Sequence, residues 1–236
     1  MKFGTLYLIP VTLGDDNIHA VLPLNVIAQT QKLEHFVVEN EKSARQFLSL
    51  IKPLKPIREL QLELLNEHTD DKTLPSLLKP LLAGHDVGLM SEAGCPAVAD
   101  PGAKLVALAH QKGIHVTPLT GPSAILLALM ASGLNGQSFA FLGYLPVDKA
   151  ARTAKLKEIE KRAQTHNETQ IFIETPYRNQ QMLEAILSTC NANTRLCIAC
   201  HVSLQDEMIA TKRISEWKQS TLPDLHKKPT VFLLLT

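Results

Sequence analysis

The stretch that decides the fold is LMSEAGCPAVADPG, residues 89–102. It joins an apolar run to two glycines and two prolines, with a carboxylate near each end, Glu92 and Asp100. Glycine and alanine leave the backbone N–H and C=O groups uncovered, and proline makes such a loop rigid. The stretch therefore predicts a buried strand followed by a preorganised loop, with Asp100 capping the next helix.

Short apolar runs alternate with amphipathic segments along all 236 residues. This alternation predicts an α/β protein with two α/β domains, mainly parallel sheets and a ligand cleft between the domains. We predict strands within residues 5–11, 35–40, 59–65, 86–91, 114–119, 138–145, 169–175, 195–202, 207–213 and 230–236. Helices are predicted within residues 41–51, 74–84, 103–113, 122–133, 149–164 and 179–190. The proline and glycine of TPLTG, residues 117–121, predict a domain boundary at this point. The predicted domains span residues 1–118 and 119–236.

Composition and charge restrict the function only weakly. Hydrophobic residues make up 45% of the chain and the formal net charge is +1, so the overall charge neither indicates nor excludes a nucleic-acid partner. The first residues lack the apolar region and cleavage site of a signal peptide. The longest apolar run, residues 124–131, is shorter than the roughly 18 residues of a membrane span. We expect a cytoplasmic protein without membrane contact.

The four cysteines and nine histidines show no pattern of metal ligands. Cys197 and Cys200 form a CxxC, but it lies in the apolar run RLCIACHV, where residues three apart on a strand point to opposite faces. No second Cys or His pair completes a zinc set, and Cys95 and Cys190 suggest no disulfide framework. We predict buried cysteines, rather than redox or zinc chemistry, and no metal.

Three loops rich in glycine follow predicted strands, at residues 10–16, 91–102 and 119–124. In an open α/β sheet, ligands bind at the carboxyl ends of the strands. Neither a GxxxxGK[ST] nor a GxGxxG phosphate motif is present. The loops therefore fit either a binding surface for a flat, polar small molecule or ordinary strand-to-helix turns.

Five blocks of the chain carry a resemblance: GTLYLIPV, LMSEAGCPAVADPG, PLTGPSAILLALMASGL, FAFLGYLP with the basic helix after it, and IFIETPYR. In this order they resemble the ribosomal RNA small-subunit cytidine 2'-O-methyltransferase family. That family belongs to the tetrapyrrole-methylase-like (class III) S-adenosylmethionine-dependent methyltransferases. The resemblance spans essentially the whole chain. It implies two α/β domains with S-adenosylmethionine in the cleft between them, a homodimer, and RNA of the small ribosomal subunit as the substrate.

The resemblance also implies roles for single residues. Three loops would contact the methyl donor through Pro10, Ser91, Gly94, Pro96, Val98, Ala99, Thr120, Gly121, Pro122 and Ser123. Later segments would contact it through Leu142, Gly143, Tyr144, Ala199, Pro229 and Thr230. Glu174 is the expected general base, with Arg178 beside it, although the two could instead form a structural ion pair. Glu39 and Glu92 are further carboxylates at predicted strand ends.

Four blocks differ from the family. The family's AAEDTRxTxxLL corresponds to VVENEKSARQFL, which keeps the acidic Glu39 but not the Asp-Thr-Arg, and KGE corresponds to KKP. The first loop lacks the proline and the Gly-Asn pair of PTPIGNLxDI, and the family's ARELTKxxEE corresponds to ACHVSLQDEM here. The donor side is thus better matched than the acceptor side. Three functions stay open: an RNA methyltransferase, a small-molecule methylase of the tetrapyrrole type, and a donor-binding protein without catalysis. We expect Gly121→Val to abolish donor binding with little loss of fold.

The helix predicted to follow FLGYLP is basic. Its cations, which would contact RNA phosphates or simply form a solvated amphipathic face, are Lys149, Arg152, Lys155, Lys157, Lys161 and Arg162. Tyr144 and Tyr177 would either stack on bases or belong to the core.

Overall fold

A computed structural model describes residues 2–14 and 17–236. The chain divides into two compact units, Met1–Ser123 and Ala124–Thr236. The boundary predicted after residue 118 lies a few residues before this division. In the described part of the chain, no helix is both long and apolar enough to cross a membrane.

The first unit contains a five-stranded parallel sheet with the order β3-β2-β4-β1-β5. Its strands are β1 (Thr5–Leu8), β2 (His35–Val38), β3 (Gln61–Leu64), β4 (Val87–Met90) and β5 (His115–Pro118). Its helices are α1 (Ile18–Val21), α2 (Leu24–Gln31), α3 (Glu41–Ile51), α4 (Leu74–Leu77), α5 (Lys79–Leu82) and α6 (Gly102–Gln111). Successive residues of β2 and β4 enter two different apolar clusters, so both faces of this sheet are covered.

The predicted strands of this unit are confirmed. Its helices differ from the sequence prediction at residues 74–84 and within residues 18–31, where no helix was predicted. Residues 74–84 form two short helices, α4 and α5, because Pro80 has no N–H to continue the first helix. Helix α2 was not predicted. It buries Val26 and Ile27, but it begins after Pro23 without a side-chain cap, so its start carries a weak sequence signal.

The second unit contains a mixed sheet with the order β6-β7-β10-β8-β9. Its strands are β6 (Phe139–Tyr144), β7 (Thr169–Ile173), β8 (Arg195–Cys200), β9 (Met208–Arg213) and β10 (Thr230–Leu235). Its helices are α7 (Ala124–Ser132), α8 (Lys149–His166), α9 (Asn179–Thr189) and α10 (Ile214–Gln219). The α/β fold class is confirmed, but only β6 and β7 pair in parallel here, and the other pairings are antiparallel. The connection between β8 and β9 is too short for the crossover that parallel strands need.

The antiparallel pairing brings several strand ends to one edge of the second sheet. Thr230, at the start of β10, lies opposite Cys200 at the end of β8. Val231 lies opposite Ile173 at the end of β7, and Tyr144 at the end of β6 pairs with the same Ile173. One end of the second sheet is therefore formed by the last residues of β6, β7 and β8 and the first residues of β10. We call this end of the sheet the β6–β8 edge.

Candidate functional site

The three glycine-rich loops of the first unit are joined at the carboxyl edge of its sheet. The N–H of Val11 donates to the carbonyl of Gly94 (2.9 Å), and the N–H of Gly94 donates back to Val11 (3.1 Å). The Cys95 thiol donates to the carbonyl of Pro122 (3.3 Å). The structure thus brings together the loops that the sequence singled out. Asp15 and Asp16, the last residues of the first loop, lie outside the described residues.

The second loop has a strained backbone held by one carboxylate. Ala97 and Ala99 have φ angles of 66° and 63°, which non-glycine residues rarely adopt. The Oδ1 atom of Asp100 accepts hydrogen bonds from the N–H groups of Ala97 (3.0 Å) and Gly102 (2.7 Å). The N-cap residue of α6 is Pro101, one residue later than predicted, but Asp100 still accepts from the N–H of Gly102, the first residue of the helix. Left-handed alanines cost of order 1 kcal/mol each and are typical of functional loops.

Gly121 allows the third loop to lie against the first. A Cβ atom at Gly121 would lie 2.2 Å from Cγ and 2.3 Å from Cβ of Pro10, which is far inside contact distance. The expectation that Gly121→Val would spare the fold is therefore wrong, since the added side chain would collide with a buried proline ring. Gly121 permits contact between two loops, and its substitution cannot probe donor binding alone.

Three carboxylates of the first unit lie beside these loops. The Oε2 atom of Glu39, just after β2, accepts a hydrogen bond from the N–H of Glu92 (3.0 Å). Burial raises the pKa of Glu39, and the charges of Asp100 and Glu92 raise it further. Burial also raises the pKa of Asp100, whose Oδ2 atom is buried without a hydrogen-bond partner. Within residues 2–14 and 17–236, no ion pair involves Glu39, Glu92 or Asp100. The loops are thus bordered by carboxyl groups that pair with no cation of the described chain.

In the second unit, the residues expected to contact the donor cluster at the β6–β8 edge. A β-bulge interrupts the pairing of β6 with β7 between Phe141 and Tyr144. Gly143 lies in this bulge with φ at 66°, and Tyr144 is 57% exposed. The carbonyl of Pro229 accepts from the N–H of His201 (2.9 Å). The edge therefore presents Tyr144, with Leu142 and Gly143 half-buried behind it, whereas the side chains of Ala199 and Thr230 are buried within the unit.

Glu174 and Arg178 form an ion pair that connects the end of β7 with the start of α9. The Nη2 atom of Arg178 lies 2.6 Å from the Oε1 atom of Glu174, and the N–H of Thr175 donates to the same oxygen (2.7 Å). The Glu174 side chain is fully enclosed, whereas the Arg178 side chain is 34% exposed. The hydrogen bond to Glu174 raises the pKa of Arg178. This geometry fits the alternative of a structural ion pair, in which Glu174 holds Arg178 in place.

The basic side chains of α8 have different environments. Arg152 is buried and donates to the carbonyl of Val147 (3.1 Å). Lys155 pairs with Glu158 (2.7 Å), and Arg162 pairs with Glu168 (2.6 Å). Three cations are exposed and take part in no ion pair within the described chain, namely Lys149, Lys157 and Lys161. Lys149, Lys157 and Lys161, with Thr153 between the first two, are separated by multiples of four residues and so lie on one face of α8. We call these three lysines the basic stripe of α8.

Cys197 and Cys200 of the CxxC are buried, as predicted. Cys190, Cys197 and Cys200 are buried free thiols, and Cys95 is half-buried. Burial raises the pKa of Cys190 to about 12 and also raises the pKa of Cys197 and Cys200. Thiols held in this way are poor nucleophiles. Among the described residues, no group of His, Cys, Asp and Glu has the arrangement of a metal site.

One polar pair was missed in the sequence. His201 follows β8, and its Nδ1 atom lies 2.8 Å from both carboxylate oxygens of Asp206. The His201 side chain is 17% exposed and belongs to the β6–β8 edge. The block ACHVSLQDEM already showed a departure from the family at this position, but a histidine and an aspartate five residues apart form no recognised motif.

The comparisons with known proteins agree with this arrangement. The family described as Tetrapyrrole (Corrin/Porphyrin) Methylases matches residues 5–218. The Ribosomal RNA small subunit methyltransferase I of Vibrio cholerae is 34% identical over 171 residues, which cover 72% of this chain and 58% of that protein. The protein of the same name from Halalkalibacterium halodurans is 31% identical over 221 residues, covering 94% of this chain and 69% of that protein. The chain thus spans about 58% to 69% of the length of these relatives.

Solved structures of low sequence identity share the fold. The methyltransferase CobJ superposes with a TM-score of 0.64 at 17% identity, covering 100% of this chain and 95% of that one. The uroporphyrin-III-C-methyltransferase of Thermus thermophilus gives a TM-score of 0.57 at 17% identity, with 98% and 94% covered. These likenesses confirm the fold, and the family match over residues 5–218 confirms the methylase class that the loop motifs indicated. The chain belongs to the tetrapyrrole methylase family.

Proposed function

We propose that the chain is an S-adenosylmethionine-dependent methyltransferase that modifies a ribose 2'-hydroxyl in RNA of the small ribosomal subunit. The observation that carries the proposal is the joining of the three loops through Val11, Gly94, Cys95 and Pro122 at the carboxyl edge of the first sheet. Ligands of open α/β sheets bind at this edge. The names of the relatives from Vibrio cholerae and Halalkalibacterium halodurans support RNA as the acceptor.

The chemistry of the loops suits this donor. S-adenosylmethionine supplies a methyl group on a positively charged sulfonium, together with a cationic ammonium group. The carboxyl groups of Glu39, Glu92 and Asp100 border the loops, and a bound cation would stabilise their ionised forms. The second loop carries only small side chains at Ala97 and Ala99, whose left-handed backbone is typical of ligand-binding loops. The predicted contacts of Pro10, Ser91, Gly94 and Thr120 belong to this proposal.

The second unit contributes groups for an anionic acceptor. Lys149, Lys157 and Lys161 extend over about 18 Å of α8, since each residue rises roughly 1.5 Å. Arg178, oriented by Glu174, adds a guanidinium at the β6–β8 edge. Such cations bind phosphates and position an RNA without reading its sequence. The homodimer and the cytoplasmic location remain predictions.

The test measures the donor and the acceptor separately. We expect S-adenosylhomocysteine to bind in calorimetric titration. We also expect labelled methyl groups to pass from S-adenosylmethionine to small ribosomal subunits, and nucleoside digestion to yield a 2'-O-methylated nucleoside. Transfer to a tetrapyrrole instead of RNA, or donor binding without transfer to any RNA, would overturn the proposal.

A matched set of variants tests the basic stripe of α8. Replacing both Lys157 and Lys161 by Gln should weaken RNA binding by about tenfold or more and reduce its salt dependence by roughly two charges. Lys155→Gln is the control, because Glu158 already neutralises this lysine. Equal effects of the double variant and the control would show that the stripe does not contact RNA.

A further inference from the structure

The pair formed by His201 and Asp206 belongs neither to the three glycine-rich loops of the first unit nor to the apolar clusters of the second. His201 lies directly after β8 with φ at 51°, and Ser203 in the same turn has φ at 70°. These backbone angles are rarely adopted by such residues and are typical of functional turns. The N–H of Ser203 donates to Glu207 (2.6 Å), and the N–H of His201 donates to Pro229. The turn is therefore held in a fixed conformation that directs the histidine toward Asp206.

The hydrogen bond fixes the tautomer of the imidazole. The bond to His201 lowers the pKa of Asp206, so this carboxylate is ionised and can only accept. The Nδ1 atom of His201 must then carry a hydrogen, which leaves the lone pair of Nε2 available to take a proton. An imidazole oriented by a carboxylate in this way is the usual form of a general base in proteins.

The charges around His201 are few. Asp206 lies in the same turn, and Glu207 is engaged by the N–H of Ser203. Lys228, in the segment before β10, interacts electrostatically with Asp206. Asp224 interacts electrostatically with Cys200, the residue before His201. The charged group bonded to the imidazole is thus Asp206.

The location of the pair agrees with a role in methyl transfer. His201 is bonded through its backbone to Pro229, one of the residues expected to contact the donor, and it lies two residues after Ala199. Glu174, the base expected from the resemblance, is fully enclosed: its Oε1 atom accepts from Thr175 and Arg178, and its Oε2 atom is buried without a partner in the described chain.

We propose that His201 is the general base of this enzyme and that Asp206 is its positioning residue. This inference rests on the proposed function. The hydroxyl proton of the acceptor moves to Nε2 of His201 while the acceptor oxygen bonds to the methyl carbon. The bond between that carbon and the sulfur breaks, its electron pair stays on sulfur as a neutral thioether, and the imidazolium later returns its proton to water.

The kinetic test compares His201→Asn, His201→Glu and Asp206→Asn with the wild type on small ribosomal subunits. His201→Asn should lower kcat by about 100-fold or more, while KM and the affinity for S-adenosylhomocysteine stay within about twofold. It should also remove the fall in rate on the acid side of the pH profile. His201→Glu should retain more activity than His201→Asn because it restores a proton acceptor. Asp206→Asn should lie between the wild type and His201→Asn. His166→Asn, an exposed histidine in the last turn of α8, is the control and should leave the rate unchanged.

A second measurement reads the tautomer without any turnover. Long-range proton–nitrogen spectra of the whole chain should show His201 with hydrogen on Nδ1 and none on Nε2, and Asp206→Asn should change this pattern. Hydrogen on Nε2 in the neutral wild-type imidazole would overturn the inference, as would a wild-type rate in His201→Asn or an equal loss of donor binding and rate. If the wild-type protein binds no S-adenosylhomocysteine, the proposed function is overturned instead. The spectra of the same sample would still show which nitrogen of His201 carries the hydrogen.

Discussion

Replacing Gly121 by alanine should show how much the packing of the third loop against the first contributes to stability and to donor binding. The added Cβ atom would lie 2.2 Å from Cγ of Pro10, whereas ordinary contact begins at 3.4 Å, so the atoms must separate by 1.2 Å. Pro10 is a buried ring and cannot rotate away, and Leu22 closes a further side at 3.2 Å. Overpacking of this kind costs about 1–3 kcal/mol. For a chain of this size, 2 kcal/mol corresponds to a fall in Tm of about 4–8 °C.

The assay combines thermal unfolding with calorimetric titration of S-adenosylhomocysteine. We expect Gly121→Ala to lower Tm by this amount and to weaken donor binding by about tenfold or more, because the first and third loops must move apart. Gly136→Ala is the control, since a Cβ atom there would meet open space and its φ is not left-handed. It should change stability by no more than about 0.5 kcal/mol.

The double variant with Pro10→Gly measures the collision itself. If Pro10 is the obstacle, the double variant should lose less stability than the sum of the two single variants. Additive losses would show that Gly121 and Pro10 do not collide. A Gly121→Ala chain with unchanged Tm and unchanged donor affinity would refute the close approach of the two loops.

Two further predictions concern buried carboxylates. Glu174→Gln keeps the size of the side chain but removes the charge that holds Arg178, so we expect a loss of about 1–3 kcal/mol in thermal unfolding; a large loss of kcat without any loss of stability would instead mark Glu174 as a base. Asp100 has a raised pKa in the folded chain, so its contribution to stability is present below its unfolded pKa of about 3.9 and is lost as the pH rises through the folded value. The free energy of unfolding of Asp100→Asn, minus that of the wild type in urea titrations, should therefore increase with pH; a constant difference would contradict the raised pKa.

The sequence predicted all five strands of the first unit. Its strands are short apolar runs bounded by glycine and proline, and a parallel sheet covered on both faces produces that pattern. The strand directions of the second sheet were less predictable, because an apolar run does not show whether the neighbouring strands lie parallel or antiparallel to it. Likewise, spacing alone could not show that Glu160 of α8 is buried and accepts hydrogen bonds from Asn191 and Thr194, far along the chain.

For the candidate site, the sequence by itself determined where the loops occur and which chemistry they suit. The stretch at residues 89–102 specifies a strand, a rigid loop and a helix cap through local backbone preferences, so it could be interpreted without the fold. Only the tertiary structure decided which groups are available to a ligand. It enclosed Glu174, placed Gly121 against Pro10 and brought His201 to the β6–β8 edge beside Pro229. These outcomes depend on contacts between residues distant in the chain, and such contacts leave no periodic signal in the sequence.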